Sequence, residues 1–289
     1  MNYNSGVADL HVHTTASDGT CSVNDRVKEA QDIGLEAVAI TDHDTVADSL
    51  TDRRTLHGAL ELVTGVEVRA DALDTKVELL GYYLDPTDAD LATLLERVRS
   101  YRRDRNRQIV DRLHEVTPLD RSYEDIRAEA DGILGRPHIA DVLIEAGIVD
   151  TVGAAFDQYL GSDGAAFVPM ERVPAEEVME VIQAAGGAVS LAHPGRIRAD
   201  DVALIVDRLA VAGLDAIEVS YPYDDAPSEG YADVDAADAA AFAEQYNLLQ
   251  SGGSDCHGPG SGKHRLGEVR ITREQLAAIR DRAAGHRSL

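Results

Sequence analysis

Near its start the chain reads Val7-Ala8-Asp9-Leu10-His11-Val12-His13, an apolar stretch that predicts a β-strand with two histidines on one face. A helix is predicted next, because Ser22 and Asp25 form a typical helix start and Gly34 a typical helix end. A second apolar run, Leu35–Ile40, follows at once. A strand, a helix and a strand in succession indicate the repeating unit of a parallel sheet or barrel.

The same alternation continues along most of the chain. Helical patterns at Ala175–Ala185 and Asp201–Ala212 separate some of the later apolar runs. The further predicted strands are Leu60–Val66, Val77–Tyr83, Ala165–Val168, Ala188–Leu191, Ala216–Val219 and Leu248–Gln250. This pattern favours an α/β fold with a parallel barrel or sheet.

The alternation stops between about residues 87 and 162, where the chain is helical and polar and shows no convincing strand. Pro137 at a helix start and Gly147 at its end bracket a helix over His138–Ala146. We therefore predict a barrel made of residues 1–86 and 163–289, interrupted by an inserted helical cap at residues 87–162. The total of 289 residues suits one barrel with one insertion.

Composition argues against several classes of protein. Asp and Glu total 52 against 27 Lys and Arg, and the resulting charge of −25 opposes binding to nucleic acid or anionic membranes outside local basic patches. The pI is 4.6 and the only lysines are Lys28, Lys76 and Lys263, which favours a halophilic source; an ordinary acidic enzyme is the alternative. The chain shows no signal-peptide layout, no membrane-length apolar run and no disulfide framework. We expect a cytoplasmic protein with no membrane or stable protein partner.

Metal-ligating side chains stand at the ends of the predicted strands. His11 and His13 share one strand face, and Asp255 with His257 repeats that spacing after the last predicted strand. Because barrels place active sites at the carboxyl ends of their strands, the two pairs meet if the barrel closes. Other candidates just past apolar runs are His43, Glu67 and His193.

Imidazole and carboxylate together suit Zn²⁺, Mn²⁺ or Fe²⁺, and a carboxylate such as Glu67 can bridge two ions. A lone histidine at a strand end is more often a hydrogen-bonded surface or core residue. Five of the ten histidines, however, fall at predicted strand ends, and burying so many polar groups without a metal would be costly. The set therefore favours a site for divalent cations.

A longer segment around the first histidines, Asp9-Leu10-His11-Val12-His13-Thr14-Thr15-Ala16-Ser17-Asp18-Gly19-Thr20, resembles the first motif of the PHP (polymerase and histidinol phosphatase) superfamily. Further motifs follow in the order of that family: Ile40-Thr41-Asp42-His43-Asp44, Gly65-Val66-Glu67, Gly135-Arg136-Pro137-His138-Ile139-Ala140, Ala192-His193-Pro194-Gly195-Arg196 and Gly252-Gly253-Ser254-Asp255-Cys256-His257-Gly258. The resemblance spans nearly the whole chain. It is strongest to the stand-alone phosphoesterases of the family, which act on nucleoside 3′,5′-bisphosphates and short oligonucleotides.

The resemblance implies a distorted (β/α)7 TIM-like barrel that binds two or three divalent cations, Mn²⁺, Fe²⁺ or Zn²⁺. The implied ligands are His11, His13, Glu67 and Asp255 for the first ion, Glu67 and His193 for the second, and Asp18, His43 and His257 for the third. The chain has Glu78 where the family usually carries a histidine, and we keep Glu78 as a candidate ligand of the second ion. Asp9, Asp42 and Asp44 either orient the imidazoles by hydrogen bonds or simply reflect the acidic composition.

Three basic side chains beside these motifs are predicted to bind substrate phosphate: Arg136, His138 and Arg196. Pro137 puts His138 in the first turn of a helix, where backbone N–H groups favour anions; metal ligation is the alternative for His138. An arginine-rich run at residues 97–107 stands out in so acidic a chain. It either steers a polyanionic substrate or forms a solvated helix face.

Together these features predict a metal-dependent phosphoesterase that acts on nucleoside 3′,5′-bisphosphates or short oligonucleotides. The predicted nucleophile is a water that bridges two ions and is held by Glu67 and Asp255, so that no Ser, Cys or Lys nucleophile is required. Histidinol-phosphate phosphatase is the first alternative, and the helical insertion and the Arg-Pro-His-Ile-Ala segment argue against it. A non-catalytic metal-binding module is the second, and the nearly complete ligand set argues against that.

Overall fold

The chain divides into two compact units. The computed structural model describes residues 6–129, 134–223 and 231–287. One unit, called the sheet unit below, comprises Met1–Glu96 and Arg172–Leu289, and the other, the helical unit, comprises Arg97–Glu171. These boundaries lie later in the chain than the 87 and 162 expected from the sequence. That the helical unit is an inserted cap stays a prediction.

The sheet unit is built on one curled β-sheet. Its strands are β1 Ala8–Val12, β2 Ala37–Ile40, β3 Arg54–His57, β4 Leu60–Ala72, β5 Thr75–Tyr82, β6 Val173–Pro174, β7 Ala188–Leu191, β8 Ala216–Ser220 and β9 Leu249–Gly252. Across the sheet the order is β1-β2-β4-β5-β7-β8-β9, and both β3 and β6 pair with β4. Strand β2 pairs in parallel with β1 and with β4. Strand β8 likewise pairs in parallel with β7 and with β9.

The regular alternation of strand and helix fails at β5, which is antiparallel to both of its neighbours, β4 and β7. Strands β4 and β5 are joined by Leu73 and Asp74, and both residues have positive φ angles, 54° and 60°. Two successive left-handed residues match the twist of an antiparallel hairpin. The prediction of a repeated (β/α)7 unit is therefore wrong at this point, because a tight turn replaces the crossover helix.

The two ends of the sheet come together at β1. Val12 and Cys256 form a parallel bridge, and the His13 N–H donates to the Cys256 carbonyl at 2.9 Å. Gly253 allows this approach, because a Cβ there would lie 2.3 Å from the backbone nitrogen of His11. The two ligand pairs from opposite ends of the chain therefore become neighbours, as expected if the sheet closes on itself.

Helices alternate with most of the strands and make up the helical unit. They are α1 Val23–Asp32, α2 Ala89–Val116, α3 Tyr123–Glu129, α4 Arg136–Glu145, α5 Val152–Ala155, α6 Ala175–Ala184, α7 Val202–Val211, α8 Ala236–Tyr246 and α9 Arg273–His286. The predicted start of α1 is confirmed, because Ser22 and Asp25 form a reciprocal capping box. Over the described residues, none of these helices combines the length and apolar character that a membrane crossing requires.

Each unit has its own apolar core. Leu10 and Leu80 are completely buried in the sheet unit, and Leu143 is completely buried in the helical unit. Full burial of such a side chain stabilises the fold by about 1.5–3 kcal/mol. The strand predicted at Ala165–Val168 is wrong, because these residues form turns and irregular backbone. The segment is apolar because residues such as Val168 are buried in the core of the helical unit.

Candidate metal centre

The predicted metal ligands converge in the sheet unit. His11 lies on β1, Glu67 on β4 and Glu78 on β5. The others stand in segments that follow strands: His13, Asp18, His43, His193, Asp255 and His257. Several groups of three or four of these side chains have ligand atoms within 4.8 Å of one another. We call the nine residues the histidine–carboxylate cluster.

In the first predicted site each of the two imidazoles lies close to two carboxylate oxygens. His13 Nε2 lies 3.4 Å from both Glu67 Oε2 and Asp255 Oδ1. His11 Nε2 lies 3.4 Å from Glu67 Oε2 and 3.7 Å from Asp255 Oδ1. Ligand atoms around a tetrahedral ion with bonds near 2.1 Å are roughly 3.4 Å apart. The four imidazole–carboxylate distances suit ligands of one divalent cation, and His11, His13 and Asp255 have ligand atoms within 4.8 Å of one another.

Several of these atoms lack a conventional partner. Among the described residues, His11 Nε2 and His13 Nε2 are buried and make no hydrogen bond, and Glu67 Oε2 makes none either, although it lies 2.9 Å from His43 Nδ1. Burying polar atoms without partners is costly, and most buried polar groups in proteins are satisfied. A cation would satisfy all three at once, so this side-chain set fits a divalent metal ion.

The remaining predicted ligands extend the cluster to both sides of Glu67. His193 Nε2 lies 3.0 Å from Glu67 Oε1, the oxygen opposite the first site. On the other side, Asp18 lies 3.3 Å from His257 Nε2 and 3.7 Å from His43 Nε2. Three adjacent groups of ligands therefore share the cluster, and Glu67 adjoins all three, since its Oε2 also lies 2.9 Å from His43 Nδ1.

Glu78 is the candidate ligand with the most competition. Its Oε2 lies 3.7 Å from His193 Nε2, within reach of a shared ion. Its carboxylate is also paired with Arg69 at 2.9 Å and with Lys76 at 3.0 Å. Burial raises the pKa of Glu78, but Lys76 and Arg69 outweigh burial and hold it below its ordinary value. A metal at this position must compete with two cationic side chains.

Burial and neighbouring charge act differently on two histidines of the cluster. Burial, together with the rings of His257 and His43, lowers the pKa of His13 to about 3, so its imidazole stays neutral. Burial also disfavours the charged form of His43, but the carboxylates of Glu67 and Asp18 outweigh it and raise the pKa of His43 to about 9. Because metals bind the unprotonated imidazole, an ion near His43 must displace this proton.

Two candidate ligands have backbone in the left-handed region. The φ angle is 53° at Asp255 and 25° at His193. Such conformations cost on the order of 1–3 kcal/mol at residues with a Cβ and persist only where the surroundings impose them. Strain of this kind is typical of functional sites, and here it sets the direction of two side chains in the cluster.

Two residues that the sequence reasoning missed orient Asp255. The Tyr221 hydroxyl donates to Asp255 Oδ2 at 2.8 Å, and the Lys263 ammonium lies 2.6 Å from the same oxygen. Burial raises the pKa of Asp255, but Lys263 and His11 outweigh burial and hold it well below its ordinary value. Oδ1 is left facing the imidazoles. The sequence feature that could have identified Lys263 is the rarity of lysine, since the chain has only three.

Glu218 was also missed, although it makes direct contact with the cluster. It lies on β8, is completely buried, and has its carboxylate 2.9 Å from His11 Nδ1. Its other oxygen accepts the backbone N–H of His193 at 2.7 Å. An acid within the apolar run Ala216–Val219 was the signal that could have identified it.

For three aspartates the sequence left two interpretations open, orientation of the imidazoles or acidic composition alone, and each of them accepts a backbone N–H: Asp9, Asp42 and Asp44. Asp9 accepts the backbone N–H and the hydroxyl of Ser254. Asp42 accepts the backbone N–H and the hydroxyl of Thr14. The carboxylates of Asp9 and Asp42 therefore hold the loops that carry the ligands.

Arg196 is the predicted phosphate-binding residue that lies in the sheet unit. It ends the short turn Pro194–Arg196, which follows His193. Its guanidinium carbon lies 5.6 Å from the centre of the Tyr221 ring, whose hydroxyl contacts Asp255. Arg196 therefore stands beside the cluster.

Arg136 and His138, the other two predicted phosphate-binding residues, lie in the helical unit. Arg136 donates to the Leu160 carbonyl at 2.8 Å. His138 Nδ1 accepts the Gly135 N–H at 3.0 Å and so caps the start of α4. The capping contact occupies one ring nitrogen of His138 and leaves the other, Nε2, for a further group.

Comparison with known proteins identifies relatives with related activities. The family model for the PHP domain matches residues 9–134. The 5′-3′ exoribonuclease of Haemophilus influenzae is 33% identical over 255 residues, which cover 87% of this chain and 90% of that protein. The 3′,5′-nucleoside bisphosphate phosphatase of Chromobacterium violaceum is 28% identical over 272 residues, 90% of each chain.

A solved structure agrees with the sequence relatives. The crystal structure of a Bifidobacterium adolescentis protein assigned as a metal-dependent phosphoesterase superposes with a TM-score of 0.76 at 30% identity. The match covers 96% of each chain. The fold and the sequence relatives thus agree over nearly the full length of the protein. The chain belongs to the PHP family and is a metal-dependent phosphoesterase, a hydrolase that acts on phosphoric ester bonds.

Proposed function

We propose that the enzyme hydrolyses nucleoside 3′,5′-bisphosphates and short oligonucleotides. The observation that carries this proposal is the position of Glu67. Its Oε2 faces His11, His13 and His43, while its Oε1 faces His193. A carboxylate placed between two sets of imidazoles suits a pair of adjacent cations, which favours in-line attack on phosphorus. The relatives from Haemophilus influenzae and Chromobacterium violaceum are the reason for proposing this substrate class.

We assign the ligands of the cluster to three ions, as the sequence implied. The proposed sets are His11, His13, Glu67 and Asp255; then Glu67 and His193, with Glu78 as a further candidate; and Asp18, His43 and His257. In support, ligand atoms lie within 4.8 Å of one another in His11, His13 and Asp255, in Glu67 and His193 together with His11, and in Asp18, His43 and His257 together with His13. Mixed imidazole and carboxylate ligands suit Mn²⁺, Fe²⁺ and Zn²⁺.

Divalent cations in these sites would supply an activated water and neutralise charge on the phosphoryl oxygens. The role of the chain is to hold each group in place. Tyr221 and Lys263 occupy Oδ2 of Asp255 and keep its Oδ1 directed at the imidazoles. We propose that Arg196 binds the substrate phosphate, because a guanidinium pairs with two phosphate oxygens and this one lies beside Tyr221.

We propose that the helical unit binds additional phosphates of a longer substrate. A cavity of about 70 Å³ in this unit is lined by four arginines: Arg99, Arg102, Arg103 and Arg127. The hydroxyl of Tyr123, which lines the same cavity, is buried and has no hydrogen-bond partner among the described residues. Concentrated guanidinium groups with a further donor suit a phosphate of an oligonucleotide. Arg136 and His138 are proposed for the same role.

We also propose that the enzyme works in a salt-rich cytoplasm. The net charge of −25 and the low lysine content support this medium. Salt shortens the range of electrostatic attraction, from a Debye length of about 10 Å at 0.1 M to about 3 Å at 1 M. Contributions of surface arginines are therefore best measured at low ionic strength.

Release of phosphate from a nucleoside 3′,5′-bisphosphate tests the proposed function directly. We expect no turnover after treatment with a chelator and full turnover after Mn²⁺ is added back, because the unpaired atoms of the cluster need a cation. A 5′-phosphorylated oligoribonucleotide should release mononucleotides under the same conditions. Phosphate release from histidinol phosphate, with neither nucleotide substrate consumed, would instead assign the enzyme to the alternative activity.

Replacing Arg102, Arg103 and Arg107 with Gln tests the role of the helical unit. We expect the KM for an oligonucleotide to rise roughly tenfold, about 1.4 kcal/mol, while the KM for a small chromogenic phosphate ester changes little. Only the longer substrate carries phosphates far from the cleaved bond. Turnover at saturation should stay nearly constant, because the loss is in uniform binding.

The matched control replaces three exposed arginines of the sheet unit with Gln: Arg54, Arg208 and Arg273. This variant changes the net charge by the same amount, so any general effect of charge appears in both. If the triple variant changes KM equally for the two substrates, or changes neither at low salt, the arginine-rich run is a solvated helix face and does not bind substrate.

A further inference from the structure

Glu218 is a buried acid with an unusual pair of partners. It lies on β8 with no exposed surface. One oxygen is 2.9 Å from His11 Nδ1, and the other accepts the backbone N–H of His193 at 2.7 Å. Burying a carboxylate is expensive unless hydrogen bonds compensate it. Both of these side-chain hydrogen bonds go to residues of the histidine–carboxylate cluster, which connects the cost of burying Glu218 to the metal centre.

The contact with His11 determines which ring nitrogen is available to a cation. A neutral imidazole has one N–H, and a carboxylate can only accept, so Nδ1 carries the hydrogen that faces Glu218. Nε2 then presents its lone pair on the opposite side of the ring, 3.4 Å from Glu67 Oε2 and 3.7 Å from Asp255 Oδ1. The other tautomer would direct a hydrogen into the first site.

The contact with His193 acts on the backbone. His193 has a φ angle of 25°, in the left-handed region that residues with a Cβ disfavour. The hydrogen bond from its N–H to Glu218 stabilises this conformation. With the backbone held in this way, His193 Nε2 lies 3.0 Å from Glu67 Oε1, in the second site.

We propose that Glu218 is a positioning residue that controls the first and second metal sites together, by fixing the tautomer of His11 and the backbone of His193. This inference rests on the proposed ligand assignment. One carboxylate serves two sites, so its loss weakens the binding of two ions even though Glu218 itself contacts neither.

Glu218→Gln is the informative substitution, because glutamine keeps the size of the side chain but has one acceptor oxygen and one NH₂ donor. If its oxygen accepts from His193, its NH₂ faces His11 and favours the tautomer with the hydrogen on Nε2. If its oxygen accepts from His11, its NH₂ opposes the His193 N–H. Either orientation sacrifices one of the two contacts.

Metal affinity is the primary readout, measured by competition between the protein and a chromogenic chelator for Mn²⁺ or Zn²⁺. We expect Glu218→Gln to weaken two of the metal-binding steps, each by roughly 10–100-fold, the usual effect of losing an outer partner of a ligand. The matched control is Asp215→Asn, which neutralises another buried acid, paired with Arg282 and His286, just before β8. If Glu218→Gln and Asp215→Asn bind metal with equal affinity, Glu218 has no specific effect on the metal sites and the proposal is wrong.

Nitrogen-15 NMR of the Zn²⁺-loaded wild-type protein gives a second readout that does not depend on whether the variant folds. His11 should show a protonated Nδ1 and an unprotonated, metal-bound Nε2. The reverse assignment would overturn the proposal. Neither measurement involves a substrate, so failure to hydrolyse nucleotides would leave this inference intact, whereas a wild-type protein that binds no metal would remove the ligand assignment itself.

Discussion

Asp255→Ala is expected to abolish turnover while the protein stays folded. Asp255 Oδ1 lies 3.4 Å from His13 Nε2 and 3.7 Å from His11 Nε2, so its removal opens the first site. It also leaves the ammonium of Lys263, now 2.6 Å from Oδ2, without its carboxylate beside the cations. The loss of kcat should exceed the roughly 10–100-fold typical of removing an outer partner of a ligand.

Asp255→Asn separates the loss of the ligand from the effect of backbone strain. Asp255 has a φ angle of 53°, a conformation that asparagine tolerates better than alanine. The asparagine variant should therefore melt close to the wild-type temperature and still be inactive. Circular dichroism melting curves and steady-state kinetics on a nucleoside bisphosphate provide the two measurements. Near-normal kcat in both variants would show that Asp255 is not a ligand.

The protein purified without chelators should contain more than one equivalent of Mn, Fe or Zn per chain, and Glu67→Ala should lose more than one of them. Glu67 Oε2 lies 3.4 Å from His11 and His13, and its Oε1 lies 3.0 Å from His193. Because one side chain contributes to two sites, its removal weakens both. Elemental analysis of wild type and variant, prepared in parallel, measures the difference.

His257→Ala is the matched control for the metal count. Its Nε2 lies 3.3 Å from Asp18, in the third proposed site, away from the oxygen of Glu67 that faces His193. This variant should lose no more than one equivalent. Only trace metal in the wild-type protein would contradict the multi-ion centre, and equal losses in the two variants would contradict the sharing of Glu67.

The sequence by itself was sufficient to predict the local elements and the kind of chemistry. The strand around His11, the capped helix α1 and the helix that Pro137 and Gly147 bracket are all present, because capping and periodicity act over a few residues. Metal-ligating side chains at strand ends were also recognisable, since parallel neighbours bring those ends to one edge of a sheet. Their joint occurrence predicted a phosphoesterase of the PHP family, and the comparisons confirm it.

Tertiary structure decided which atoms meet. The antiparallel direction of β5 depends on the left-handed turn at Leu73 and Asp74, which no glycine or asparagine marks in the sequence. Lys263 and Glu218 are far from His11 along the chain, and only the bridge between the sheet ends and the pairing of β8 with its neighbours bring them to the cluster. Such contacts depend on strand register over the whole sheet, because a shift of one residue would turn each side chain to the opposite face.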